Sequence, residues 1–326
     1  MQQEQTEEKG KRPLTLESVP VCCVCGTKQW SEPLATGEDF EYESSPDTFF
    51  AQQCSNCGLV YLDPRPAKSE IGTIYGSEYH AYEFTPEKFG IAYRVRAWLE
   101  SRRLRRWCDQ LPAGSRIIDI GAGDGFHLKL LRDMQGSNWS LEGVDPDEHA
   151  VSAARRAGLT MHEGFVHDLS LPQDTYDFAM AIMTIEHVDA PERLLGEMAR
   201  ILKPGGRVGI VTDNTGSPDF TLAKKRHWGG YHFPRHWNLF NKKSIRRLAE
   251  NAGLEVESIR TMTSPVNWTY TVHNYLKDRG APKFLTRQFG LDKPLPLAVF
   301  TIWDAVLTLF GRGAILGVVL RKPELS

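Results

Sequence analysis

The sequence predicts an α/β protein, in which a parallel β-sheet with crossover helices follows a small cysteine-rich module. Two observations carry this. From Gly114 to about Met262, short apolar runs alternate with helical patterns, the mark of strands joined by crossover helices. Ahead of that region, four of the six cysteines fall into two close pairs, Cys22 with Cys25 and Cys54 with Cys57. The composition agrees with a globular chain: 326 residues, 41% hydrophobic and 25% charged. Basic and acidic side chains nearly balance, 39 against 41, which disfavours nucleic acid as the main partner.

The elements follow in order. Residues 1–20 open with MQQEQTEEKGKRP, polar and without an apolar leader core, and read as a loose tail rather than a secretory signal. Residues 21–62 form the cysteine module. Residues 63–112 form a helical linker with Asp63-Pro64-Arg65-Pro66, several tyrosines and a helix over about 89–110. The α/β domain occupies 113–326. Its expected strands lie at 116–120, 140–144, 176–183, 207–212 and 254–262, with helices at 126–134, 148–157, 191–202 and 243–252. Lys203-Pro204-Gly205-Gly206 ends one helix and turns into the next strand. A helical insertion at 264–312 then precedes a last apolar strand at 313–320. The longest apolar stretch, 295–320, is interrupted by Asp304 and Arg312, short of the roughly 18 residues that span a bilayer. The chain thus reads as cytoplasmic, where paired cysteines point to metal rather than disulfides.

Cys22-x-x-Cys25-Gly26 and Cys54-x-x-Cys57-Gly58 are two knuckles separated by 28 residues. Each brings two thiolates to one ion, and two complete a tetrahedral four-sulfur zinc site. Four protein ligands leave no open position, so the expected zinc is structural. Cys23 lies between ligands, but the paired spacing favours Cys22. Cys108 stands alone on the linker helix and reads as core packing.

Ile117-Ile118-Asp119-Ile120-Gly121-Ala122-Gly123-Asp124-Gly125 is an apolar strand running straight into a glycine turn and then a helix. Glycines let the backbone bend sharply and let a ligand approach closely. Asp145 ends the next strand, where a carboxylate can accept both ribose hydroxyls of an adenosyl group. A dinucleotide-binding dehydrogenase is the competing reading. Its G-x-G-x-x-G spacing is not met, because the third glycine comes one residue early. Asp119 instead suits the cationic amino group of a methionyl tail.

These blocks, IIDIGAGDG, GVDPD, YDFAMAIMTIEHV and LLGEMARILKPGGRVGIVTDN, resemble the class I S-adenosylmethionine-dependent methyltransferases in order and spacing. The resemblance implies a Rossmann-like seven-stranded core, here with an N-terminal zinc ribbon and the helical insertion lying before a last antiparallel strand. It also implies that Gly121 and Gly123 pack on S-adenosyl-L-methionine, that Asp119 lies near its amino-acid end and that Asp145 binds the ribose. Ala122, Pro146 and Thr184 complete the expected cofactor contacts. Phe165 and Val166 stand where family members often carry an Asp contacting adenine, so backbone and apolar packing are expected there. Asp168 reads either as an adenine-side contact or as a solvated turn residue. Glu186 and His187 follow the fourth core strand, either facing the acceptor or capping and tying loops.

Cysteine-rich N-terminal modules followed by a Gly-Leu-Val-Tyr-Leu-Asp-Pro-Arg-Pro-like segment, here Gly58 to Pro66, are similar to those of many bacterial methyltransferases. The sugar C-methyltransferases among them carry a further C-terminal domain that this chain lacks, so O- or N-methylation is expected. Trp228 to Trp237 resembles their Tyr-His-x-Pro-Arg-His segment. Methyl transfer to a hydroxyl needs a base, and histidine is the usual one near neutral pH. His232 or His236 is the expected base, with Arg235 holding a polar or anionic part of the acceptor. The alternative is that all three anchor the loop. The expected acceptor is a small molecule, sugar or lipid-linked compound. RNA held by the ribbon and by Arg94, Arg96, Arg102, Arg103, Arg105 and Arg106 is a second reading, and a non-catalytic cofactor-binding module a third. Those arginines also fit an anionic membrane surface or a solvated, salt-bridged face. The stretch 295–310 fits a lipophilic acceptor pocket or a homo-oligomer contact.

Overall fold

In a computed structural model that describes residues 12–28, 32–75, 86–134 and 138–324, the chain builds a seven-stranded sheet flanked by helices, with a ribbon leaning on one face. It begins with β1 (Leu16–Glu17), β2 (Ala35–Gly37), β3 (Phe49–Gln53), β4 (Val60–Leu62) and β5 (Arg65–Pro66). The short helix α1 (Ile71–Ile74) and the long helix α2 (Pro86–Cys108), broken at Gly90, lead into the core. There follow β6 (Arg116–Ile120), α3 (Phe126–Arg132), β7 (Ser140–Asp145), α4 (Glu148–Arg156), β8 (Thr160–Glu163), β9 (Tyr176–Ile182), α5 (Pro191–Ile201) and β10 (Leu202–Asp213). The chain continues through α6 (Pro218–Ala223), β11 (Asn238–Leu239), α7 (Lys242–Asn251) and β12 (Glu255–Met262). The insertion supplies α8 (Val266–Asp278), α9 (Lys283–Thr286) and α10 (Pro294–Leu309) before β13 (Ile315–Arg321).

The main sheet runs β12-β13-β10-β9-β6-β7-β8, with β13 antiparallel between β10 and β12. Because both faces are covered, the central strands read as near-continuous apolar runs. Their alternation sorts two cores. Ile118, Ile120, Ala179 and Ile210 face α5 and α7, where Leu194, Leu195, Met198 and Leu248 pack. Ile117, Phe178, Met180 and Val211 face Leu104 and Trp107 of α2, Leu128 and Leu131 of α3 and Val151 of α4. Cys108 is buried in this second core, as packing alone requires. Local signals set the helix starts: Asp147 accepts from Ala150 N before α4, Pro191 opens α5, and Asn241 with Ser244 forms a capping box on α7.

Several expectations change. Edge strand β8 lies where the sequence showed no strand, because only Met161 of its four residues is buried. The loose tail was expected to reach residue 20. Residues 1–11 lie outside the described residues, but residues 12–20 are tied down: Leu16 and Glu17 pair with Pro66 and Arg65, and Arg12 meets Glu70 at 2.6 Å. The cysteine module packs on the core. Cys22, Val24, Cys54, Cys57 and Leu59 join the α5/α7 core, and β11, from a loop more than 170 residues later, pairs with β4 to extend the ribbon's sheet. On α2, Arg103 pairs with Glu100 at 2.8 Å, while Arg96 and Arg102 lie over Phe126 and Trp98.

Candidate active site

Six of the seven strands run parallel and deliver their C-terminal ends to one edge of the sheet, the side on which open α/β sheets bind ligands. Beyond β6, the N–H groups of Gly121 and Ala122 donate to Val144 O, which folds the glycine turn back over β7. Gly121 has φ 76°, and a Cβ there would meet Thr184 Oγ1 at 2.4 Å. The turn is therefore glycine by conformation and by space. Gly123 N donates to Asp145 Oδ2 at 2.8 Å and Asp147 N to Oδ1 at 2.9 Å, so the expected ribose acid is aimed by two backbone donors. Burial nevertheless raises its pKa. Asp119 is buried with both carboxylate oxygens lacking a hydrogen-bond donor among the described residues. Burial raises its pKa as well, opposed by nearby His127. An acid left so is suited to receive an ammonium group. Pro146 is exposed beside Asp145. Val166 is buried, while half-buried Phe165 stacks on His167 with ring centroids 5.7 Å apart. Asp168 is exposed on the turn after it.

Thr184 joins this loop to a second constellation. Two residues further on, Glu186 is fully buried; its Oε2 accepts from Thr212 Oγ1 at 2.9 Å and its Oε1 has no donor among the described residues. Desolvation pushes its pKa up to about 7, against the pull of His236. His187 Nδ1 lies 2.7 Å from the Tyr75 hydroxyl and 3.2 Å from Arg235 O. Burial, then the neighbouring His236 and His232, hold its pKa well below the ordinary value. One donor atom from each of Glu186, His187 and His236 lies within 4.8 Å of the others, close enough to share a proton or a cation.

His236 comes from the loop between α6 and β11. Its Nδ1 lies 2.8 Å from Gly230 O and 3.1 Å from Asp213 Oδ2. Burial alone would lower its pKa, but Asp213 and Glu186 outweigh it and hold the imidazole above its ordinary value. No hydrogen bond engages Nε2 of His236 among the described residues. His232 adopts φ 41°, its Nδ1 bonds Glu41 Oε2, and its ring centroid lies 4.9 Å from that of His236.

Arg235 corrects the sequence expectation. It is only 1% exposed, and its guanidinium donates to Ile74 O at 2.8 Å, Phe233 O at 3.2 Å and Asp39 Oδ2 at 3.1 Å while lying over Tyr42. It bolts the loop to the ribbon, which favours the anchoring alternative for this residue. The sequence reasoning also missed Asp213, Tyr75, Glu41 and Asn267. Asp213, an acid ending an apolar strand, carried a usable signal; the others have partners more than 50 residues away.

The four ribbon sulfurs fit a metal. Cys22 Sγ lies 3.6 Å from Cys57 Sγ, and Cys25 Sγ 3.4 Å from Cys54 Sγ, near the edge of about 3.8 Å that zinc–sulfur bonds of about 2.3 Å give a tetrahedron. The Cys22 contact pulls Cys57 down to about 5 while Cys22 itself is raised.

Residues 92–259 match the family described as "Methyltransferase domain". The chain belongs to that family. This methyltransferase is 27% identical over 194 residues to a ubiquinone biosynthesis O-methyltransferase of Thiobacillus denitrificans, covering 52% of the chain and 81% of that protein. It is 28% identical over 182 residues to an S-adenosyl-L-methionine-dependent Diels-Alderase of Talaromyces variabilis, covering 52% of the chain and 60% of that relative. Among solved structures, a Haemonchus contortus phosphoethanolamine N-methyltransferase 2 in complex with S-adenosyl-L-methionine superposes with TM-score 0.52 at 18% identity, covering 90% of this chain and 68% of that one. That likeness concerns the fold.

Proposed function

We propose that this methyltransferase methylates a hydroxyl or amine of a small, sugar or lipid-linked acceptor, with His236 as general base. The observation that carries the reading is the junction at Thr184. It packs on the glycine turn and stands two residues from Glu186, so the cofactor loop and the His236 cluster share one cleft edge. Gly121, Ala122, Gly123 and Asp145 would hold S-adenosyl-L-methionine, with Asp119 toward its ammonium and Phe165 and Val166 toward its adenine. The bound cofactor supplies an electrophilic methyl group. The chain's own task is then to orient the acceptor and remove its proton. His236 Nε2 takes that proton, and Asp213 stabilises the imidazolium that results. Glu186, buried beside His236, has its pKa raised by desolvation and pulled back by that imidazole, so the two groups share the local charge. His187, kept neutral, is poised through Tyr75 to accept or donate a hydrogen bond to the acceptor. Cys22, Cys25, Cys54 and Cys57 would hold a structural zinc, whose four thiolate ligands would leave no open position for chemistry.

The relatives' activities, an O-methyltransferase and an S-adenosyl-L-methionine-dependent Diels-Alderase, frame the test. Labelled-methyl transfer into cell extract, fractionated into RNA, lipid and small polar pools, should label the lipid or small polar pool. His236→Ala should bind the cofactor normally and lose at least about a hundredfold in turnover, the usual scale for a general base. Label in RNA, or no transfer despite tight cofactor binding, overturns the proposal, as does a His236→Ala enzyme with full turnover.

A further inference from the structure

Helix α10 is predominantly apolar, yet only one of its faces is covered. Its inward face is accounted for. Phe300 stacks on Trp268, and buried Asp304, its one ionisable residue, accepts from Ser264 N at 2.9 Å, Trp268 Nε1 at 3.1 Å and Ala314 N at 3.2 Å. Its outward face is a stripe at helical spacing: Leu295, Val299, Ile302, Val306 and Leu309, all exposed, the first and last by 74% and 84%. Trp303 and Phe310 widen it, and Phe284 of α9 is 71% exposed. A contiguous apolar patch of this size on a surface marks an interaction site.

The charge around the stripe selects its partner. Residues 279–312 carry Arg279, Lys283, Arg287, Lys293 and Arg312 against only Asp292 and Asp304, in a chain whose net charge is −2. Asp304 is buried under its three donors, and Asp292 pairs with Lys293 at 2.7 Å. Lys283, Arg287 and Arg312 have no acidic partner among the described residues and are exposed. Lys293 begins the helix and Arg312 follows its end, so cations bracket the stripe along the chain. Sixteen residues make a helix about 24 Å long, short of the roughly 20 residues that cross a bilayer. No helix of the described residues is long and apolar enough to cross one. An apolar face of this length with flanking cations is the pattern of a helix lying in the plane of an anionic lipid surface.

We infer that α10 and its basic flanks dock the protein on an anionic phospholipid membrane. The same insertion reaches the acceptor site. Helix α8 packs on the Gly229–Tyr231 turn, where a Cβ on Gly229 would meet Asn267 O at 2.5 Å, and Asn267 Nδ2 donates to Asp213 Oδ1 at 2.7 Å. The docking element and the acid partner of His236 are thus one packing layer apart, a placement suited to an acceptor that stays in the lipid phase. Docking itself does not depend on which atom is methylated.

The test is sedimentation of the full chain with vesicles of phosphatidylcholine containing phosphatidylglycerol, and with phosphatidylcholine alone. Binding to the anionic vesicles should be at least about tenfold tighter than to the neutral ones and should weaken with added salt. The double variant Ile302→Glu with Leu309→Glu should lose at least about tenfold while keeping its melting temperature and cofactor binding, because both side chains point away from the core. Lys283→Glu with Arg287→Glu should remove the preference for the anionic lipid. Wild-type protein that stays in the supernatant with anionic vesicles, or binds both compositions equally, overturns the inference. So does a wild-type dimer by light scattering that Ile302→Glu with Leu309→Glu splits into monomers, since the stripe would then belong to a second copy.

Discussion

Replacing Gly121 by alanine probes the cofactor turn where the structure permits a worked magnitude. Two costs add. The residue holds φ 76°, a left-handed conformation that costs an L-residue about 1–2 kcal/mol. Its new Cβ would also sit 2.4 Å from Thr184 Oγ1 and 2.5 Å from Cγ2, an overlap that forces the turn or Thr184 to move, at a further cost of about 1–3 kcal/mol. Gly253, which follows α7, is the internal control: it has φ 73° but nothing within 4 Å of a built Cβ. Gly253→Ala should therefore lose only the dihedral cost, about 1–2 kcal/mol, and Gly121→Ala roughly 2–5 kcal/mol. At roughly 2–4 °C per kcal/mol, thermal unfolding separates the two. Calorimetry should show S-adenosyl-L-methionine binding weakened tenfold or more by Gly121→Ala and unchanged by Gly253→Ala, since 1.4 kcal/mol of loop displacement is a factor of ten. Adding Thr184→Ala to Gly121→Ala should return most of the steric part, since only the Thr184 Cβ at 3.0 Å remains, and leave the dihedral part. Equal melting and equal cofactor affinity for the two single variants would refute the reasoning.

If the four cysteines hold zinc as proposed, chelation, or replacing Cys57 by serine, should cut methyl transfer at least about tenfold while cofactor affinity changes little. The reason is that the ribbon holds the His232–His236 loop through Glu41, Asp39 and the β4–β11 pairing, while the glycine turn rests on β7 and Thr184. Zinc-free protein with unaltered turnover would contradict this. Glu186 has a folded-state pKa of about 7 against an ordinary 4.5, so its neutral form is favoured by folding and its contribution is lost as pH rises between those values. Over that window wild-type stability should fall by about 3 kcal/mol on its account. Glu186→Gln should flatten the decline in denaturant melts between pH 5 and pH 8, and an unchanged slope would show that Glu186 stays charged.

Much of the core was legible in the residues. The apolar runs of β6, β7, β9 and β10, the glycine turn and Asp145 are local patterns whose meaning depends on few neighbours, and the two cysteine knuckles carry their own spacing rule. Edge strand β8 was not legible, because one buried residue in four makes no alternation to detect. Arg235 was misread for a related reason. A guanidinium in a histidine-rich loop has the composition of a binding residue, and only its burial against Ile74, Asp39 and Tyr42 shows that its hydrogen bonds are already spent.

The sequence by itself determined most of the core strands, the glycine turn and the two cysteine pairs, since each is written within a short run of consecutive residues. Tertiary structure alone decided which histidine stands beside Asp213, that Glu41 and Asp39 reach nearly two hundred residues along the chain to fix that loop, and that one face of α10 is left bare. Those outcomes turn on desolvation and on pairing between distant segments. No pattern along the chain records either until the segments meet.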